Sequence, residues 1–186
     1  MKVAVFCGSS LGDSPVFRDA AIRLGKYLAK QKIDLVYGGS QVGLMGIIAD
    51  TVLEQRGCVY GVIPEKLKDK ELAHTGLTEL IIVSDMHQRK AKMAELSDAF
   101  IAMPGGAGTL EEISEAWTWA QLGYHTKPCC FYNIDGFFSP LLDMFHKMVT
   151  HQFMKVDYTD MLINEDQPEA LITSIRNYRP PQKKWP

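Results

Sequence analysis

Apolar and polar positions along this chain fall into two recurring patterns. Runs that are nearly continuous in apolar, β-rich residues sit at Lys2–Cys7, Ile33–Tyr37, Cys58–Ile63, Glu79–Val83, Ala99–Met103 and Pro128–Tyr132. Such runs predict strands covered on both faces. Longer amphipathic stretches lie between them and predict helices over Pro15–Gln31, Gly43–Gln55, Asp85–Leu96, Thr109–Leu122 and Phe137–Thr150. Pro15 suits the first helical position, with Ser14 before it as the cap. A last helix, about Pro168–Tyr178, follows a loop with a short strand candidate near Asp160–Ile163.

Alternating strands and helices predict an α/β fold: a doubly wound parallel sheet in a single domain over 1–186, with a short proline-rich tail at about 179–186. Ligands of such folds bind at the carboxyl ends of the strands, near a topological switch point. The loops that matter should therefore follow the first, second and fifth strands, and those are the glycine-rich ones.

Composition narrows the partners. A formal charge of -2 and the lack of a basic block argue against a nucleic-acid partner. Cys7, Cys58, Cys129 and Cys130 form no CxxC pair, which suits buried reduced thiols better than a zinc site or a disulfide framework. No apolar run is long enough for a signal peptide or a membrane span. The expectation is a cytoplasmic protein with no metal and no membrane partner.

The loop after strand one, "CGSS", uses small residues that let backbone N–H groups approach an anion, and Ser9 adds a hydroxyl donor. Alone, it reads equally as an ordinary turn. The loop after strand two, "YGGSQVGLMG", carries Gly38 and Gly39, which permit backbone conformations closed to other residues. Gly39 is a candidate ligand contact. Gly43 and Gly46 fall in the next helix at a cost of roughly 1 kcal/mol each relative to alanine. Close packing explains Gly46 best. The loop after strand five, "MPGGAGTLEE", ends its strand at Pro104. Gly105, Gly106 and Gly108 can then fold into a nest of N–H groups at a helix start, a site for phosphate, with Thr109 as cap and donor.

Glu111 and Glu112 fall in the expected first turn, where the helix dipole favours negative charge. Glu112 also shares a face with Thr109, about 4.5 Å along the axis. That is comparable with the reach from a nucleotide's 5′-phosphate toward its ribose. A carboxylate there would stabilise positive charge on a sugar ring whose glycosidic bond is breaking, or take a proton from attacking water. A fourth segment, "DMHQRKAKM", opens the helix after strand four. Met86 and Met93 should face the core. Arg89 and Lys90 are cations near a helix start, where an anionic partner would explain them. An arginine could hold Glu112 or a phosphate, although a solvated basic face fits the pattern as well.

The stretch "PGGAGTLEE" (Pro104–Glu112) resembles the P-G-G-x-G-T-x-x-E motif of the LONELY GUY family, cytokinin riboside 5′-monophosphate phosphoribohydrolases often mislabelled as lysine decarboxylases. "MHQRK", "VFCGSS", "DLVYGGSQVGLMG", "GVIPEKL" and "WAQLGYHTKP" are similar in order and spacing, so the resemblance runs from about Lys2 to Ile163. It implies a Rossmann-like fold, commonly a homodimer with active sites near the subunit interface. It also implies hydrolysis of a nucleoside 5′-monophosphate to free base and ribose 5-phosphate, with no redox or pyridoxal cofactor. Matched position by position, Arg89 and Glu112 would be the catalytic pair. Lys90, Gly106, Ala107, Gly108, Thr109, Leu110, Glu111, Thr118 and Glu71 would contact the nucleotide. Ser40 and Ala107 depart from the family's usual glycine and aromatic, which touches substrate preference more than reaction type.

Three other functions would use a fold of this kind. A dehydrogenase would want an acidic residue at the end of strand two, and "LVYGG" has none. No lysine has a setting that marks it as a Schiff base. A non-catalytic nucleotide or cofactor carrier would use the same glycine loops without needing Arg89 and Glu112.

Overall fold

At the centre of the molecule lies β1 (Lys2–Phe6). In chain order the other elements are α1 (Pro15–Lys30), β2 (Asp34–Tyr37), α2 (Gly43–Glu54), β3 (Val59–Pro64), β4 (Glu79–Val83), α3 (Met86–Leu96), β5 (Ala99–Ala102), α4 (Ala107–Gln121), β6 (Cys129–Tyr132), α5 (Ser139–Thr150), α6 (Val156–Asp160), β7 (Leu162–Glu165) and α7 (Pro168–Asn177). This computed structural model describes residues 1–68 and 72–180. The strands form one sheet in the order β4-β3-β2-β1-β5-β6-β7, and every neighbouring pair is parallel. The chain winds outward from β1 to β4, then returns to β5 on the other side. The switch point therefore lies between β1 and β5.

Strand side chains alternate between two apolar layers. Val3 and Val5 pack with α1, α2 and α7. Ala4 and Phe6 pack with α3, α4 and α5. Both faces are covered, which is why the strands read as continuous apolar runs. Ser14 caps α1 by accepting from Val16 N–H, with Pro15 at the helix start. Asp85 caps α3 by accepting from Gln88 N–H at 2.8 Å. That bond first, and the Ser84 hydroxyl second, hold the Asp85 carboxyl below its usual value. The stabilisation is present above the ordinary carboxylate range and is lost as pH falls through the lowered value.

Several boundaries differ from expectation. The β3–β4 crossover has a short 3-10 turn, Glu65–Leu67, and no α-helix among the described residues. Helix–strand alternation is broken there. β7 starts at Leu162, because Asp160 closes α6. A five-residue helix is too short to display a 3.6-residue period. α4 begins at Ala107, two residues before Thr109. Met93 is in the core, but Met86 is 40% exposed. Among the described residues, no helix is long and apolar enough to cross a membrane. Cys7, Cys129 and Cys130 are buried free thiols, whereas Cys58 is free but only half-buried, against expectation; burial pushes Cys129 up to about 12.

Candidate active site

The loops after β1 and β5 are joined across the switch point. Met103 N–H donates to Phe6 C=O at 2.8 Å, and Gly8 N–H donates to Pro104 C=O at 3.1 Å. A Cβ on Gly105 would overlap the Thr109 hydroxyl and stand 2.8 Å from Gly8 N, so only glycine fits. Gly106 is the cap residue of α4, and no side chain caps the helix. The first intrahelical bond is Leu110 N–H to Gly106 C=O. The N–H groups of Ala107, Gly108 and Thr109 precede it and are the orphan donors of a helix start.

This is a helix N-terminus rather than the nest expected from three glycines. None of Gly105, Gly106 and Gly108 has a positive φ. A Cβ on Gly106 or Gly108 would meet nothing within 4 Å. Neither backbone strain nor packing requires those two glycines. What they leave is open space in front of the orphan donors, where an anion can approach. Thr109 is buried in the first turn and does not cap the helix. Beside the loop lies a cavity of about 500 Å³, walled by Gly8, Ser10, Leu11, Phe17, Gly105 and Phe137 among others. Its aromatic wall, Phe17 edge-on to Phe137, carried no signal in the sequence.

Glu111 and Glu112 lie in the second turn of α4, since the helix starts early. The dipole argument weakens there, because the effect fades beyond the first turn. Glu112 is half-buried. Its charge reaches the end of β1: burial raises the Cys7 thiol, and Glu112 raises it further. The carboxylate therefore belongs to the carboxyl edge of the sheet, one turn beyond the orphan donors.

Arg89 comes from α3 and is 5% exposed. Its Nε donates to Val62 C=O at 3.1 Å and its Nη2 to Gly38 C=O at 2.8 Å. These carbonyls belong to β3 and to the residue after β2. The guanidinium is thus fixed toward the carboxyl ends of β2 and β3, on one side of β1. Gly38 makes this possible, because a Cβ there would overlap Arg89 Nη2. The sequence suggested conformational freedom at Gly38, yet its φ is not positive and the constraint is space.

Lys90 forms ion pairs with Glu111 and, at 2.9 Å, with Glu115. Burial lowers its pKa, but the two carboxylates outweigh that and the net shift is upward. Gly39 has φ +80° and is buried against Leu80 and Ile63; its carbonyl accepts from His74 N–H. Ser9 is exposed, and its main chain abuts Gly43 at the start of α2. Gly46 packs against Gln41 C=O, consistent with a packing role. Glu71 lies outside the described residues.

A family model described as "Possible lysine decarboxylase" matches residues 45–175. A probable cytokinin riboside 5′-monophosphate phosphoribohydrolase from Oryza sativa subsp. japonica is 48% identical over 95% of this chain and 79% of its own length. A cytokinin riboside 5′-monophosphate phosphoribohydrolase from Arabidopsis thaliana is 44% identical over 98% of this chain and 86% of its own. The chain belongs to this phosphoribohydrolase family. Its fold is shared more widely. The structure of a molybdenum cofactor binding protein from Rippkaea orientalis matches with a TM-score of 0.71 at 22% identity, covering 94% of each chain.

The family motif positions converge unequally. Gly106 to Glu112 and Arg89 gather at the sheet's carboxyl edge. Thr118 is exposed, nine residues beyond Thr109 on α4, or about 13 Å along the axis. This chain alone does not bring it to the loop. The open space at Gly108 yields a contrast to measure. Gly108→Ala should stabilise α4 by up to about 1 kcal/mol in urea unfolding. It should weaken ribose 5-phosphate binding about tenfold, the value of one charge-assisted hydrogen bond of about 1.5 kcal/mol. Unchanged binding in calorimetry would move the phosphate away from this loop.

Proposed function

We propose that this chain hydrolyses the N-glycosidic bond of a purine nucleoside 5′-monophosphate, releasing free base and ribose 5-phosphate. The supporting observation is one helix that carries both requirements. Its uncapped start offers orphan N–H donors to a phosphate, and Glu112 stands one turn further on, half-buried toward the end of β1. With phosphate at the helix start, the sugar extends toward that carboxylate. As the bond from C1′ to the base breaks, positive charge spreads over the ring and the carboxylate opposes it. Water supplies the oxygen that bonds to C1′ and gives its proton to Glu112. The base leaves and takes a proton from solvent. Arg89, anchored by two carbonyls, supplies a fixed positive charge that orients the carboxylate or the substrate.

Adenosine 5′-monophosphate and its N6-prenylated form are the substrates to test, with free base followed chromatographically. Base released together with an equal amount of ribose 5-phosphate is expected from both. Tight binding of both with no release would instead mark a carrier, which needs the loops but not the carboxylate.

A homodimer also fits the surface. Leu122 and Tyr124 are exposed near the end of α4, beyond the exposed Thr118. Pairing of this face with a second copy would cover them and place Thr118 against the partner. Sedimentation equilibrium should give twice the chain mass of 20.9 kDa; a single-chain mass at micromolar concentration would refute the pairing.

A further inference from the structure

Lys90 follows Arg89 on α3, and Glu111 precedes Glu112 on α4. The contact between Lys90 and Glu111 therefore joins the two helices right beside both reacting residues. Glu115, one turn below Glu111, closes on the same ammonium at 2.9 Å. The lysine side chain is only 11% exposed. On the sheet side α3 is held by the buried Arg89 and Met93 and by the partly buried Ala94 and Leu96, and the lysine contact ties it to α4. At its far end, Lys127 Nζ from the segment before β6 donates to Ala94 C=O at 2.6 Å.

We propose that Lys90 is a positioning residue: a strut between α3 and α4 that sets the separation of Arg89 and Glu112, and not a phosphate ligand. The inference rests on the reading of Arg89 and Glu112 as the reacting pair. Charge supports it. One ammonium faces two carboxylates, so the cluster carries a net negative charge and offers an incoming phosphate no attraction. Geometry supports it too. An exposed ion pair contributes little, but a largely buried lysine held by two acceptors fixes where its helix sits. A displacement of about 1 Å between reacting groups can cost about 10²-fold in rate.

Lys90→Met should lower kcat for AMP cleavage by about tenfold or more, while the Kd of ribose 5-phosphate stays within about twofold. The charge exchange Lys90→Glu with Glu111→Lys rebuilds the same three-charge cluster and should recover most of the lost kcat. Glu111→Gln with Glu115→Gln changes the more exposed partners, so it guards against a misfolded lysine variant. It frees the ammonium and should lower kcat without tightening ribose 5-phosphate. Weaker ribose 5-phosphate binding in Lys90→Met with kcat retained would overturn the strut and make Lys90 a phosphate ligand. Unchanged kcat in every variant would also overturn it. If the wild type cleaves no nucleotide, the functional reading fails separately. Unfolding midpoints then still test the strut: non-additive effects of Lys90→Met and Glu111→Gln support it, and additive effects overturn it.

Discussion

Replacing Glu112 by glutamine is expected to lower kcat for AMP cleavage about 10³-fold while leaving the Kd of AMP within a few-fold. The substitution keeps the size of a half-buried side chain and removes its charge. In the proposed pose, binding rests mainly on the N–H groups at the helix start one turn away, which the change does not touch. The transition state loses a fixed anion facing a ring that has become cationic, and such preorganised groups are worth about 4 kcal/mol at the upper end. The same change should release the Cys7 thiol from part of its upward shift, since Glu112 is its second cause after burial. Wild-type turnover in this variant would remove Glu112 from the chemistry.

Gly38→Ala should be the most damaging change outside the reacting groups. The added methyl would overlap Arg89 Nη2 and lie 3.2 Å from Met45 Sδ. Arg89 must then give up its bond to Gly38 C=O inside a nearly water-free pocket. Losing a charged hydrogen bond there costs about 1.5–3 kcal/mol of stability, and moving the guanidinium should cost about 10²-fold in kcat. Denaturant unfolding and steady-state kinetics read the two effects independently. A variant that unfolds and turns over like the wild type would mean that Arg89 does not depend on this slot.

Periodicity reports whether a residue is covered, and here the coverage is simple. Lys2–Phe6 and Ala99–Ala102 lie under helices on both sides, so their apolar runs named the strands and the strand–helix order named the doubly wound sheet. Ser14 and Pro15 marked a helix start because capping is local chemistry. The start of α4 was read late because Gly108 is a poor helix former, yet it lies inside the helix, where a Cβ would meet nothing within 4 Å. α6 went unseen because five residues cannot show a period.

At the site, the motif "PGGAGTLEE" singled out one loop, but what fixes its glycines and those of the loop after β2 differs residue by residue. Gly105 is fixed by Gly8 and Thr109, which lie near in space rather than in sequence. Gly38 is fixed by Arg89, 51 residues away. The pairing of Lys90 with Glu111 and Glu115 spans two helices. Such contacts depend on how elements pack, and no spacing within one segment encodes them.

A single helix is proposed to bind the phosphate at its start and to act on the sugar one turn later. A crystal structure of the Glu112→Gln variant with uncleaved AMP measures this directly. Phosphate oxygens within hydrogen-bonding reach of the N–H groups of Ala107, Gly108 and Thr109, with C1′ in van der Waals contact with the side chain at position 112, is the predicted result. A nucleotide seated with its C1′ away from that side chain, or its phosphate away from that helix start, would contradict it.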